Sequence, residues 1–348
     1  MGRRKKWALL LGAVGWLVLA TSHAGVIRDQ RGNAVEPPTP AAATVLVPTG
    51  RGWGQRPVVR SAAAGNQDPG NSTTISPFIS LAPGGKERGK PSDTSGAVSK
   101  GANGIDYHGG PLMLGETNLY FIWYGNWGGN TALNILADFA ESLGGSPYYN
   151  INTTYRDGSN VNPSNSVSLA GASVDNYSRG SALDDADLKM IVSRAIGSGA
   201  LPAETNAVYF VLTSADVNET SGFCTRHCGW HARGTIDGRN LKYVFVGNPD
   251  RCPGACATQT IGPNGNAGAD AMASTIAHEL AKTVTDPELS AWYDRRGREN
   301  ADKCAWTFGS TYTTANGARA NMRLGSRDYL IQQNWVNAKG GYCALSYP

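Results

Sequence analysis

Charge is scarce in this chain. Only 17% of its 348 residues are Asp, Glu, Lys or Arg, against roughly 25% in ordinary globular proteins, which removes a long charged coiled coil as a description of the whole. Cysteine is missing from the first 223 positions, and histidine occurs five times in all. The longest apolar run, Trp7–Ala20, holds fourteen residues, short of the ~20 needed to cross a bilayer as a helix. A Gly-x-Ser-x-Gly elbow, a phosphate-cradling glycine loop and a dinucleotide fingerprint are all absent, so three common enzyme classes have no foothold here. What the chain does have is an apolar share of 41% and 44 glycines, enough for a real core and too much for wholesale disorder.

The formal net charge of +4 is unevenly placed. Arg3, Arg4, Lys5 and Lys6 give the first 24 residues +4, and residues 25–104 add nine basic and five acidic groups. Residues 105–348 then hold 18 basic against 22 acidic groups, a balance of −4. A nucleic-acid partner needs a basic stripe over the fold, and this distribution argues against one.

Residues 1–24 have the layout of a secretory signal peptide. A positive stretch precedes the apolar run, and Ser22-His23-Ala24 offers small residues at the positions a signal peptidase inspects. The mature chain is therefore expected to be secreted and to lack a membrane span. Residues 25–104 lose hydrophobic periodicity and carry Pro37-Pro38, Pro40 and repeated Ala and Gly. Such composition buries too little apolar surface to offset ordering entropy, so a flexible tail or pro-segment is expected. Residues 105–348 form the globular domain.

All six cysteines, Cys224, Cys228, Cys252, Cys256, Cys304 and Cys343, lie in that domain. An even count in a secreted chain points to disulfides. The simplest arrangement joins 224 to 228, 252 to 256 and 304 to 343; crossed pairing between the two Cys-x₃-Cys loops is the near alternative. Asn71, Asn152, Asn176 and Asn218 each begin an N-glycosylation tripeptide.

Periodicity predicts a buried strand over Asn118–Tyr124 and a helix from about Thr131 to Leu143 that stops at Gly144-Gly145. Polar, Asn-rich sequence fills 146–180, and a second helix starts at Ser181 with its apolar face on Leu188, Ile191, Val192, Ala195 and Ile196. Ala207–Thr213 and Leu241–Val246 read as strands with the Cys-rich loop between them. A third helix runs from about Asp270 to Thr285 and ends before Asp286-Pro287, because proline disfavours the helical region in the residue before it. The expected fold class is α/β (α+β): a mixed sheet with helices packed on it and loops stapled by disulfides.

The third helix carries His278-Glu279, which makes it zincin-like. In zinc peptidases of the His-Glu-x-x-His kind, two imidazoles one turn apart bind the metal, and the Glu activates its water. Here the second position is Lys282, and an ammonium does not ligate. Zinc would then need His278 with carboxylates such as Asp286 and Asp294, Glu279 remaining the catalytic base; Glu299, Asp302, His108 and His231 are further donors. The alternative reading makes 278, 279 and 282 a solvated helix face on which Lys282 pairs with Glu279. Trp123, Tyr124 and Trp127 would suit a carbohydrate-binding face, with Trp123 equally at home in the core.

Several segments together resemble the phosphate-induced protein / EXORDIUM family: Tyr107-His108-Gly109-Gly110-Pro111, Asn118–Gly125, Val208–Val217, Gly222–Gly229 with His231, and Tyr243–Asn248 with Cys252–Cys256. They run in order across about 105–348. The resemblance implies an extracellular, apoplastic or cell-wall glycoprotein, tied in plants to growth and to hormone or carbon-status responses, without an established catalytic activity. The stretch from Ala277 through Asp286-Pro287 to Asp294, with Glu299–Cys304, is similar to the microbial-type branch of the family. In that branch an acidic residue often stands where this chain has Lys282, and Glu299–Cys304 would supply a distal ligand. Three functions follow. The first is a cell-surface protein in growth or wall signalling, with a non-catalytic, degenerate zincin-like cleft that meets a wall glycan or an extracellular protein. The second is a zinc metallopeptidase, and the third a glycan-binding wall protein.

Overall fold

The computed structural model describes residues 104–348; the signal peptide expected at 1–24 and, but for Gly104, the tail expected at 25–104 lie outside the described residues. The backbone of the fold is one five-stranded sheet. Its strands are β1 (Thr117–Tyr124), β2 (Val167–Asp175), β3 (Ala207–Thr213), β4 (Gly229–Ile236) and β5 (Arg239–Val246), in the spatial order β2-β1-β3-β5-β4. The first four in that order are parallel, and β4 closes one edge antiparallel to β5. The expected mixed α/β sheet is therefore present.

Both faces of the sheet are covered. Helices α1 (Ala132–Glu141) and α3 (Ala267–Thr285) share a core with Leu119, Phe121, Phe210, Leu212 and Val244. Helix α2 (Asp185–Gly197) packs its Leu188, Ile191 and Val192 against Tyr120, Ile122, Tyr209 and Val211 on the opposite face. Burial on both sides explains why β3 is apolar up to its final Thr213 and fully buried, as parallel strands under helices require. The start of α2 differs from expectation. Asp184, not Ser181, is the cap, and it forms a reciprocal capping box with Asp187.

Two strands lie where loops were expected. β2 occupies the polar stretch; as the outer parallel strand it needs only one neighbour, so its alternating small and polar residues expose one row of side chains. β4 arises inside the Cys-rich loop and turns directly into β5. Asp237 and Gly238 both adopt positive φ (49° and 70°) and bridge Ile236 to Arg239. A two-residue Asp-Gly turn of this kind follows the twist of the strands it joins.

This hairpin also decides the disulfides. Gly229 pairs with Val246, and Gly247 N donates to Cys228 O at 3.1 Å, so the loop leaving β5 runs beside the loop entering β4. The cysteines accordingly join crosswise, Cys224–Cys252 and Cys228–Cys256, in place of the simpler local pairing. Cys304–Cys343 forms as expected. The proposed aromatic face does not exist as an exposed surface: Trp123, Tyr124 and Trp127 are all buried, and Trp123 and Trp127 meet edge to face at 5.3 Å.

Candidate functional site

Helix α3 is built of small residues on every side. Ala269, Ala271, Ala273, Ala277 and Ala281 let neighbours approach all round it, and nearly the whole helix is buried. Asn266 caps its start by accepting from Ala269 N, and it ends at Asp286 as Pro287 demands. One close approach is to strand β4. A Cβ on Gly229 would meet Thr275 Cγ2 at 2.6 Å and Phe245 O at 2.8 Å, so glycine there is what lets the helix cross the edge strand. The face bearing His278, Glu279 and Lys282 is thus interior. None of the three exceeds 1% exposure, which overturns the solvated-face reading.

Inside, these residues meet groups from distant segments. The Lys282 ammonium lies 3.4 Å from Glu279 Oε2, 3.4 Å from Glu299 Oε2 and 3.5 Å from Asp302 Oδ1. His278 Nε2 stands 3.0 Å from Asp302 Oδ1, while Gln332 Nε2 contacts its Nδ1. With the Gln332 amide donating to Nδ1, the ring proton belongs on Nε2, directed at Asp302. From β4, His231 Nε2 reaches Glu299 Oε1 at 3.0 Å. Burial alone would push the Lys282 ammonium toward its neutral form. The charges of Asp302, Glu279 and Glu299 outweigh that cost and hold its pKa well above the ordinary lysine range.

The expected metal ligands are not gathered with His278. Asp286 Oδ1 accepts the backbone N–H groups of Ser290 and Ala291, tying down the turn after α3. Asp294 is engaged by the Arg298 guanidinium at 2.8 Å and by Lys303 at 3.8 Å. His108 stacks on Tyr293 with ring centres 3.6 Å apart. Glu299, Asp302 and His231, secondary donors in the sequence, are the ones that join the cluster. The residues present do not suit a resident zinc ion. The position among the acidic oxygens is taken by an ammonium, and no group of three or more His, Cys, Asp or Glu among the described residues is arranged to hold a metal. Gln332 and the cation-filling role of Lys282 escaped the sequence reading. The run of alanines flanking Lys282 was the available signal, because a helix small and apolar all round is a buried one.

A second buried acid–base pair lies in the Cys-rich loop. His227 Nε2 meets Glu219 Oε2 at 3.0 Å, and Phe223 N also donates to that oxygen. Burial would raise the Glu219 carboxyl, but the hydrogen bond and charge of His227 dominate and hold it at about 2.

Fold and site together define an α/β protein with a doubly covered sheet, disulfide-tied loops and a closed acidic cluster filled by its own lysine. Residues 105–329 match the phosphate-induced protein 1 conserved region, and the chain belongs to that family. It is 31% identical to Protein EXORDIUM-like 3 of Arabidopsis thaliana over 279 residues, covering 69% of this chain and 82% of that protein. To Protein EXORDIUM-like 5 of the same plant it is 30% identical over 66% of this chain and 75% of the relative. Protein PHOSPHATE-INDUCED 1 of Nicotiana tabacum is 29% identical over 54% of this chain and 67% of its own length. No solved structure matches the chain.

Proposed function

We propose that this protein works outside the cell, as a growth-associated EXORDIUM-like binding protein whose zincin-like helix has become a structural core. The observation that carries the reading is the Lys282 ammonium, held within 3.5 Å of three buried carboxylates. A fixed internal cation neutralises the charge that a catalytic zinc would otherwise balance, and it leaves Glu279 paired with an amine in place of an activated water. Three disulfides suit an oxidising compartment. No helix among the described residues is long and apolar enough to cross a membrane. Its partner on this reading is a wall glycan or an extracellular protein.

Metal content and peptide turnover of the purified secreted protein, measured beside a Glu279→Gln variant, test this. The expected result is a folded protein with no stoichiometric zinc, and no peptide cleavage by either form. About one tightly held zinc per chain, with turnover lost in the variant, would reverse the assignment in favour of a metallopeptidase.

A further inference from the structure

Beyond the loop and the short strand Trp292–Tyr293 that follow α3, the chain makes a tight turn, Asp294-Arg295-Arg296-Gly297-Arg298, that projects cations from a domain whose balance is acidic. The turn is rigid for its length. Asp294 N donates to Arg298 O at 2.9 Å and Gly297 N to Asp294 O at 2.8 Å, while Asp294 Oδ1 accepts Arg296 N and Arg298 N at 2.8 and 3.0 Å. It forms one wall of an open cleft of about 530 Å³, lined by Gly104, Asp106, Asp294, Arg295, Arg296, Arg298 and Lys303. That volume lies within the roughly 300–1,000 Å³ range of ligand sites.

The cations of this cleft divide into two kinds. Arg298 and Lys303 are committed to Asp294, and Lys303 also sits 4.4 Å over the Trp335 ring. Arg295 and Arg296 are exposed, and neither makes an ion pair among the described residues. Two guanidinium groups therefore extend from a braced backbone with no acceptor among the described residues. Their planar donor forks match carboxylates. Asp294 is already neutralised by Arg298 and Lys303, so a lining of four cations against two carboxylates favours an anion, and the wall glycan of the proposed reading supplies one where its sugars carry carboxylates.

We infer that this cleft binds an oligosaccharide of carboxylated sugars, with Arg295 and Arg296 taking the carboxylates. The inference deepens the extracellular-binding reading and rests on it. It moves the glycan contact from the buried Trp123, Tyr124 and Trp127 aromatics to the turn at 294–298.

The test titrates the secreted, disulfide-bonded full chain with de-esterified oligogalacturonate, its methyl-esterified form and inorganic phosphate, by calorimetry. An Arg295→Ser/Arg296→Ser variant runs alongside. Saturable binding of the de-esterified chain is expected, weakening with added salt. Affinity should fall at least about tenfold on esterification and in the double variant, while thermal unfolding stays unchanged. The absence of saturable binding, equal affinity for the esterified chain or for phosphate alone, or an unaffected double variant would each overturn the inference. A metal-free, non-hydrolytic protein that ignores oligogalacturonate overturns this ligand and leaves the binding reading standing. A zinc-loaded peptidase that binds it does the reverse.

Discussion

Lys282 and Arg296 are both cations, a short way apart in the chain, and their situations are opposite. Lys282 is desolvated, with Glu279, Glu299 and Asp302 around it, and its charge is spent entirely within the protein. Arg296 is exposed on a braced turn in which Asp294 is already engaged by Arg298 and Lys303. Removing the first is expected to cost much of the fold's stability, and removing the second to leave the fold intact. A positive charge is thus spent inside the protein in one place and left facing solvent in the other, and burial is what separates them.

The sharpest break is Lys282→Met. It leaves three buried carboxylates without their cation, and such uncompensated charge costs about 3–5 kcal/mol. Thermal or denaturant unfolding should show a large loss of stability; a midpoint equal to the parent's would mean that the cage contributes nothing. A smaller effect is expected from acid acting on the other buried pair. The folded-state pKa of Glu219 is depressed to about 2 from an ordinary 4.5, so its stabilisation is complete above about pH 4.5 and is lost as pH falls toward 2. A stability profile over that window should slope downward toward acid, and Glu219→Gln should flatten that part of the slope while lowering stability at neutral pH. The smallest effect belongs to the exterior. Arg295→Ser/Arg296→Ser should alter stability by no more than about 0.5 kcal/mol, and a larger change would show that the turn is structural after all.

Much of the fold was legible from periodicity. The strands at 118–124 and 207–213 and the end of α3 lie within a residue or two of expectation, because each depends on side chains adjacent along the chain. β2 and β4 were not, since an edge strand needs only one buried neighbour and shows a diluted pattern; the Asp237-Gly238 turn was the missed sign of the β4–β5 hairpin. The sequence motif for glycosylation behaves likewise. Asn152 and Asn176 carry the same tripeptide signal, yet Asn152 is buried and Asn176 exposed.

The candidate site divides the same way. His278-Glu279 and the offending Lys282 stood out at once, and Glu299, Asp302 and His231 were within view as donors. Which of those acids would face the helix was not, and Asp286 and Asp294, nearer in sequence, went to a turn and to an arginine instead. Distance along the chain does not predict which carboxylates share an interior.

By itself the sequence determined most of the helices and central strands, the stopping point of α3, the confinement of cysteine to one region and the family to which the chain belongs. The tertiary structure decided the rest: that α3 is buried on every side, that the Cys loops cross, and that a lysine sits where three acids converge. The physical reason is solvent. Helix and strand patterns are written in neighbouring residues, but whether a charge is hydrated or enclosed depends on segments that only folding brings together.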